Sequence, residues 1–152
     1  MPKASVKRLI ECSKKDLIDL VLDIEKYPEF VPFCFDAKIY ENKKEGDLRK
    51  IVADLTIGKG PFKDTYKSDV VFNQKKDTIF VKNIEGPLNH LSNNWIFNDK
   101  QNGITEVTFD IDFEIKNKFL NSLMVVSFQF GLEKIADAFQ QRAEKLFGNS
   151  KN

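Results

Sequence analysis

Hydrophobic and polar residues alternate with a period of two along much of the first three quarters of the chain. The first such run, Ala4 to Ile10, predicts a strand. Ser13 and Asp16 have the three-residue spacing of a capping box, which predicts that a helix begins there. The apolar face of this helix is formed by Leu17, Leu20, Val21 and Ile24, and Pro28 is expected to end it.

Five runs with a period of two follow the segment around Pro28. Turn signals separate them at Asn42–Gly46, Gly58–Pro61, Asn73–Asp77, Gly86–Pro87 and Asn98–Gly103. Connections this short join antiparallel strands. Alternation predicts which residues of each strand face inward. Strand by strand, these are Ile51, Ala53, Leu55 and Ile57; Phe62, Tyr66, Ser68, Val70 and Phe72; Ile79, Val81 and Asn83; Leu91, Trp95 and Phe97; and Val107, Phe109, Ile111, Phe113 and Ile115. The sheet therefore has one buried face and one solvent face.

The pattern changes to a helical one from about Asn117 to Phe147. Apolar residues recur three or four apart at Leu120, Met124, Phe128, Leu132, Ile135, Phe139, Ala143 and Leu146. A sheet with one apolar face and one amphipathic helix bury both surfaces when the sheet curls around the helix. The prediction is an α+β fold in which a curved antiparallel sheet of six to seven strands wraps around a long C-terminal helix and leaves a space inside. We expect residues 1–148 to form a single domain and residues 149–152 to form a disordered tail.

The segment Tyr27–Cys34 combines two prolines with the apolar side chains of a core. Pro28 and Pro32 lack a backbone donor and favour extended neighbours, which excludes a helix and a central strand. Irregular backbone with apolar side chains is typical of the mouth of an internal cavity. This segment predicts a buried gate and, with it, a carrier of an apolar ligand.

Composition narrows the function further. The formal charge is +1 and arginine occurs only at Arg8, Arg49 and Arg142, which argues against binding to DNA. Two cysteines, no apolar leader and no apolar run near 20 residues favour a cytoplasmic protein, with any membrane contact peripheral. The uncharged stretch Phe119–Leu132 is wider than one buried stripe requires, so it is a candidate cavity lid or lipid contact.

Candidate chemistry is sparse. His90 is the only histidine and shares the outward parity of its strand, and the acidic row Asp110, Asp112 and Glu114 is explained by alternation. We therefore predict no metal site, no catalytic cofactor and no enzymatic activity. Lys59, Lys63 and Lys67 share the outward face of one strand and form a candidate basic stripe.

The element order resembles the START-like, helix-grip (START/Bet v 1-like) superfamily. Three segments narrow the resemblance: Tyr27–Cys34, the Gly86-Pro87-Leu88 turn with Leu91 and Trp95 after it, and the strand from Val107 to Glu114. They look like the coenzyme Q-binding and RatA-like branch of the polyketide cyclase superfamily. Two departures are Leu88, where the family often has phenylalanine, and Asn93-Asn94, which replaces a usual glycine.

The resemblance implies non-catalytic binding of ubiquinone, a polyprenyl quinone, in support of respiration or quinone synthesis. From inward parity, the candidate ligand-binding residues are Phe30, Val31, Phe33, Leu55, Phe62, Tyr66, Ser68, Val81, Asn83, Trp95, Phe109, Phe128 and Leu132. Tyr66, Ser68, Asn83 and Trp95 are the candidates to meet the quinone oxygens. Two alternatives stay open: a RatA-like toxin that binds the large ribosomal subunit through the basic stripe, and a cyclase or dehydratase, for which Asp64 lacks a histidine partner.

Overall fold

The structure is a computed structural model that describes residues 3–59, 61–86 and 88–147, with the side chains at 59, 62, 85, 88, 89, 115 and 120–130 outside the description. Its strands are β1 (Lys3–Ile10), β2 (Cys34–Glu45), β3 (Leu48–Lys59), β4 (Phe62–Asn73), β5 (Thr78–Glu85), β6 (Leu88–Asp99) and β7 (Thr105–Ile115). Its α-helices are α1 (Lys14–Leu22) and α2 (Lys118–Phe147), and short 3₁₀ helices cover Ile24–Glu29 and Gln101–Gly103.

The strands form one curved seven-stranded sheet in the order β1-β7-β6-β5-β4-β3-β2. Every neighbouring pair is antiparallel, and register shifts interrupt β2, β4 and β6. The predicted α+β architecture, a curved antiparallel sheet of six to seven strands with a long C-terminal helix, is confirmed. Six strands follow the proline-containing segment, whereas five runs of alternation were predicted. The additional strand is the edge strand β2, which is too exposed to show clean alternation.

The inward faces agree with alternation along the strands. Ile79 and Val81 are buried on β5, whereas Phe80 and Ile84 on the opposite face are exposed. Ile57 was predicted inward, but it is 36% exposed near the end of β3, where it pairs with the first residue of the edge strand β2, Cys34, and with the exposed Asp64 of β4.

Helix α1 begins where the capping box predicts, since the Ser13 side chain accepts a hydrogen bond from the Asp16 backbone nitrogen at 3.1 Å. The prediction that Pro28 ends this helix was wrong. The helix ends at Leu22, and Pro28 lies inside the 3₁₀ helix Ile24–Glu29. The fixed φ of proline suits a 3₁₀ turn, so the start of the Tyr27–Cys34 segment is helical after all.

Helix α2 packs against β1, β7 and α1. Asn117 accepts a hydrogen bond from the Phe119 backbone nitrogen at 3.0 Å, which satisfies one donor at the start of the helix. Its buried stripe contains Leu132, Ala136, Phe139 and Ala143. Leu146 was predicted to continue the stripe, but it is 50% exposed because the last turn, with Phe147, faces solvent.

Candidate functional site

The interior of the sheet contains two apolar clusters. The larger, here called the main core, joins α1, α2 and inward residues of β1 and β3–β7. The smaller, here called the second cluster, consists of Tyr66, Leu91 and Phe113. Leu55 and Ile111 are half-buried and touch both. The buried apolar residues inside the sheet therefore form two clusters that Leu55 and Ile111 connect.

The main core is closely packed around Trp95. Its ring lies 4.1 Å from the ring of Phe109 and 5.1 Å from that of Phe139, measured between centroids. Phe139 also makes edge-on contacts with Tyr27 and Phe30 at 5.3 and 5.1 Å. A cavity of about 30 Å³ remains here, room for a water molecule or two, so the predicted internal space is not open in this part of the interior. This part of the interior is a structural core.

The backbone at Gly86 passes very close to Tyr66 of the second cluster. Its φ is +138°, a conformation that L side chains rarely adopt, and a Cβ atom placed on it would lie 2.7 Å from the Tyr66 Cβ atom. Only glycine allows this approach. Burial raises the pKa of the Tyr66 hydroxyl above its ordinary value, so the group stays protonated and able to donate at neutral pH.

Polar side chains interrupt the apolar interior between the two clusters. Ser68 on β4 lies opposite Asn83 on β5, and Asn93 on β6 lies opposite Val81 on β5. The Asn83 Oδ1 atom accepts a hydrogen bond from the Leu91 backbone nitrogen at 2.9 Å, and the Ser68 hydroxyl donates to the Ala53 carbonyl at 3.3 Å. We call Tyr66, Ser68, Asn83 and Asn93 the interior polar patch.

Sequence reasoning missed Asn93, although the signal was present. Asn93 is separated by two residues from both Leu91 and Trp95, so it shares their inward parity. The structure keeps this parity without a bulge, because β6 pairs in unbroken register with β7 from Leu91 to Trp95. The Asn93 Oδ1 atom is enclosed and has no hydrogen-bond partner among the described residues.

The candidate ligand-binding residues fall into separate groups. Val81, Trp95, Phe109 and Leu132 are buried in the main core, and Phe30 and Val31 are half-buried against it. Tyr66 belongs to the second cluster and Leu55 packs against it, whereas Ser68 and Asn83 lie in the interior polar patch. The side chains of Phe62 and Phe128 lie outside the description. The described candidates are thus distributed over both clusters, which Leu55 connects.

Phe33 closes the proline-containing segment in an unusual backbone conformation. Its φ is +69°, in the left-handed region that is uncommon for an aromatic residue. The Phe33 carbonyl accepts a hydrogen bond from the Gly58 nitrogen at 3.0 Å, and its ring edge lies 3.9 Å from where a Cβ atom on Gly131 of α2 would sit. The segment is half-buried rather than fully buried, with Cys34 as its buried end. Phe33 thus ties the segment to both β3 and α2.

The outer face of β2 and β4 carries lysines over exposed aromatic rings. Lys63 lies 4.0 Å above the Phe35 ring, and Lys38 and Lys67 each lie 5.1 Å from the centre of the Tyr40 ring. Phe35 and Tyr40 are about half exposed. We call these five residues the basic-aromatic surface. Lys59, also predicted in the basic stripe, has its side chain outside the description.

The outward position predicted for His90 agrees with the structure. Its Nε2 atom lies 3.6 Å from Oδ2 of Asp112 on the neighbouring strand. Among the described residues, no group of three or more histidine, cysteine or acidic side chains is placed to hold a metal ion. None of the described helices has the length and apolarity of a membrane span.

These features define a class: a helix-grip protein, in which a curved antiparallel sheet encloses a terminal helix and an interior with a few polar groups. The family model described as "Polyketide cyclase / dehydrase and lipid transport" matches residues 10–140. The chain belongs to this START-like family, as the resemblance predicted.

Two curated relatives carry different names. The "Coenzyme Q-binding protein COQ10, mitochondrial" of Dictyostelium discoideum is 31% identical over 135 residues, 86% of this chain and 63% of that protein. The "Ribosome association toxin RatA" of Rickettsia prowazekii is 31% identical over 143 residues, 91% of this chain and 94% of the toxin. The chain thus spans less than two thirds of the first relative and nearly all of the second.

Solved structures confirm the fold. The solution structure of an 18 kDa Caulobacter crescentus protein has a TM-score of 0.79 at 24% identity, covering 96% of this chain and 98% of that one. The Zhui aromatase/cyclase of a Streptomyces species has a TM-score of 0.78 at 13% identity, covering 95% of this chain and 94% of that one. Identities this low show a shared fold and nothing about activity.

Proposed function

We propose that the protein binds ubiquinone, or a similar polyprenyl lipid, inside the sheet and does so without catalysis. The observation that carries the proposal is the interior polar patch, a small set of polar groups surrounded by apolar side chains beside the second cluster. Ligand sites commonly combine apolar walls with a few polar groups that orient the ligand. The name of the Dictyostelium relative, a coenzyme Q-binding protein, supports the same ligand class.

In this proposal the head group meets the interior polar patch and the tail lies against apolar residues. Leu55 and Phe33 line the tail, and the candidates of the main core, Val81, Trp95, Phe109 and Leu132 with Phe30 and Val31, form the base of the site. Burial of tail surface is favourable by about 25 cal/mol per Å², so affinity requires no catalytic group. The protein acts in the cytoplasm, with peripheral contact at the inner membrane when it takes up or releases lipid.

Lipid extraction and native mass spectrometry of the protein from a quinone-containing host test the proposal. Co-purified quinone is the expected result, and its loss in Tyr66→Phe would place the head group at the interior polar patch. Tyr40→Phe is the comparison, because it removes the same hydroxyl from a half-exposed tyrosine on the outer face of β2. Protein that carries no prenyl lipid, and that takes none up from quinone-containing vesicles, would refute the proposal.

A second candidate function is association with the large ribosomal subunit, and the basic-aromatic surface favours it. Lysines beside exposed rings can contact both phosphates and unstacked RNA bases. The RatA relative, aligned over 94% of its length, supports this alternative. Co-sedimentation with large subunits tests it, with Lys63→Glu and Lys67→Glu against the control Lys82→Glu, an exposed lysine on the outer face of β5. Equal sedimentation of all three variants would count against this surface.

A further inference from the structure

Asn93 leaves a polar atom without a partner in the interior of the sheet. Its lateral neighbours are Val81 on β5 and Ile111 on β7, both apolar and inward. Its Oδ1 atom is enclosed and accepts no hydrogen bond from any residue that the structure describes. An enclosed acceptor among apolar side chains costs about 1–3 kcal/mol of stability, so its presence calls for a physical reason.

The neighbouring polar groups are already in use or have the opposite character. The Asn83 Oδ1 atom accepts a hydrogen bond from the Leu91 backbone nitrogen, and the Ser68 hydroxyl donates a hydrogen bond to the Ala53 carbonyl. The Tyr66 hydroxyl remains protonated because burial raises its pKa. The interior polar patch therefore offers a ligand one donor at Tyr66 and one unused acceptor at Asn93.

We propose that the Asn93 Oδ1 atom accepts a hydrogen bond from a hydroxyl group on the head group of the bound lipid, so that the site prefers prenylated phenols and quinols to the corresponding quinones. A quinone presents acceptor oxygens only, so it can accept from the Asn93 amide nitrogen but leaves the Oδ1 atom unpaired, whereas a quinol or phenol supplies the missing donor. This inference rests on the proposed function and adds the chemical form of its ligand. It involves binding alone, with no transfer of electrons.

A matched pair of probes tests the preference without redox chemistry: a short-tailed prenyl phenol and its methyl ether, titrated into the protein as purified. We expect the phenol to bind about tenfold more tightly, which corresponds to one unmade hydrogen bond in a buried site. A benzoquinone with the same tail and its hydroquinone, compared without oxygen, should show the same order.

The variant Asn93→Leu removes the amide and keeps the size of the side chain, and it should abolish the preference. The control Asn94→Leu makes the same change one residue away, on the outer face of β6, and should retain it. Asn93→Leu should also raise the melting temperature, because the unpaired oxygen is gone.

Equal binding of phenol and ether to the unaltered protein, or a preference that survives in Asn93→Leu, would overturn the inference and leave the proposed function standing. Failure of all the prenyl probes to bind would instead overturn the proposed function. The two failures are therefore distinguishable.

Discussion

Substitution of Gly86 by alanine tests whether the second cluster is built as described. The new Cβ atom would lie 2.7 Å from the Tyr66 Cβ atom and 2.9 Å from its Cα atom. The second of these is a backbone atom, so the clash cannot be relieved by a change of rotamer. The strand carrying Tyr66 or the turn after β5 must move.

Two contributions set the size of the effect. A non-glycine residue held at positive φ costs about 1–3 kcal/mol. Insertion of a methyl group into a packed site costs a further ~1–3 kcal/mol. Together Gly86→Ala should lower the free energy of unfolding by about 2–6 kcal/mol, a large share of the 5–15 kcal/mol typical of a domain.

Gly46→Ala is the matched control, because Gly46 also has positive φ, +60°, but an added Cβ atom meets nothing within 4 Å. It should cost about 1–2 kcal/mol. Equilibrium urea unfolding followed by the fluorescence of Trp95, the single tryptophan, measures both variants. Equal losses in the two would show that Gly86 does not approach Tyr66, and the account of the second cluster would fail.

Further predictions concern the elements around the site. Ser13→Ala removes the N-cap of α1 and should lower the free energy of unfolding by about 1 kcal/mol in urea denaturation, whereas no loss would contradict the cap. Phe139→Ala should cost about 3–5 kcal/mol in the same assay, since its ring contacts those of Tyr27, Phe30 and Trp95. Burial raises the pKa of Cys34 to about 11 and also raises that of Tyr66. In the folded protein both pKa values exceed the unfolded values of about 8.5 and 10. The stability that the two protonated groups contribute is therefore complete below the unfolded pKa values, and it is lost as the pH rises towards the folded pKa values. The melting temperature should therefore fall above about pH 9, more steeply than in Tyr66→Phe, and equal slopes would contradict this.

Much of the fold was predictable because alternation fixes which face of each strand is buried. On β7, Phe109 and Phe113 are buried as their parity requires, and only wrapping around α2 covers such a face. The division of the interior was not predictable, since Tyr66 and Trp95 share inward parity yet belong to different clusters. That division depends on how strands curve and pair, which parity does not encode.

The interior polar patch was only partly predictable for the same reason. Parity identified Ser68 and Asn83, and it applies equally to Asn93, but whether a buried amide finds a partner depends on atoms far away in the chain. The approach of Gly86 to Tyr66 depends on the local shift in the pairing of β4 with β5. The 3₁₀ helix around Pro28 was not predicted, because proline was expected to end all helical structure there.

The pairing of β1 with β7 has a consequence during synthesis of the chain. Lys3 lies opposite Asp112, so β1 has no strand to join until more than a hundred residues have followed it out of the ribosome. At about 5–20 residues per second, that interval lasts roughly 5–20 s. Throughout it the apolar side of β1, with Val6 and Ile10, is open to wrong partners. The apolar side of β1 can therefore be covered by its native neighbour only after the last strand has emerged.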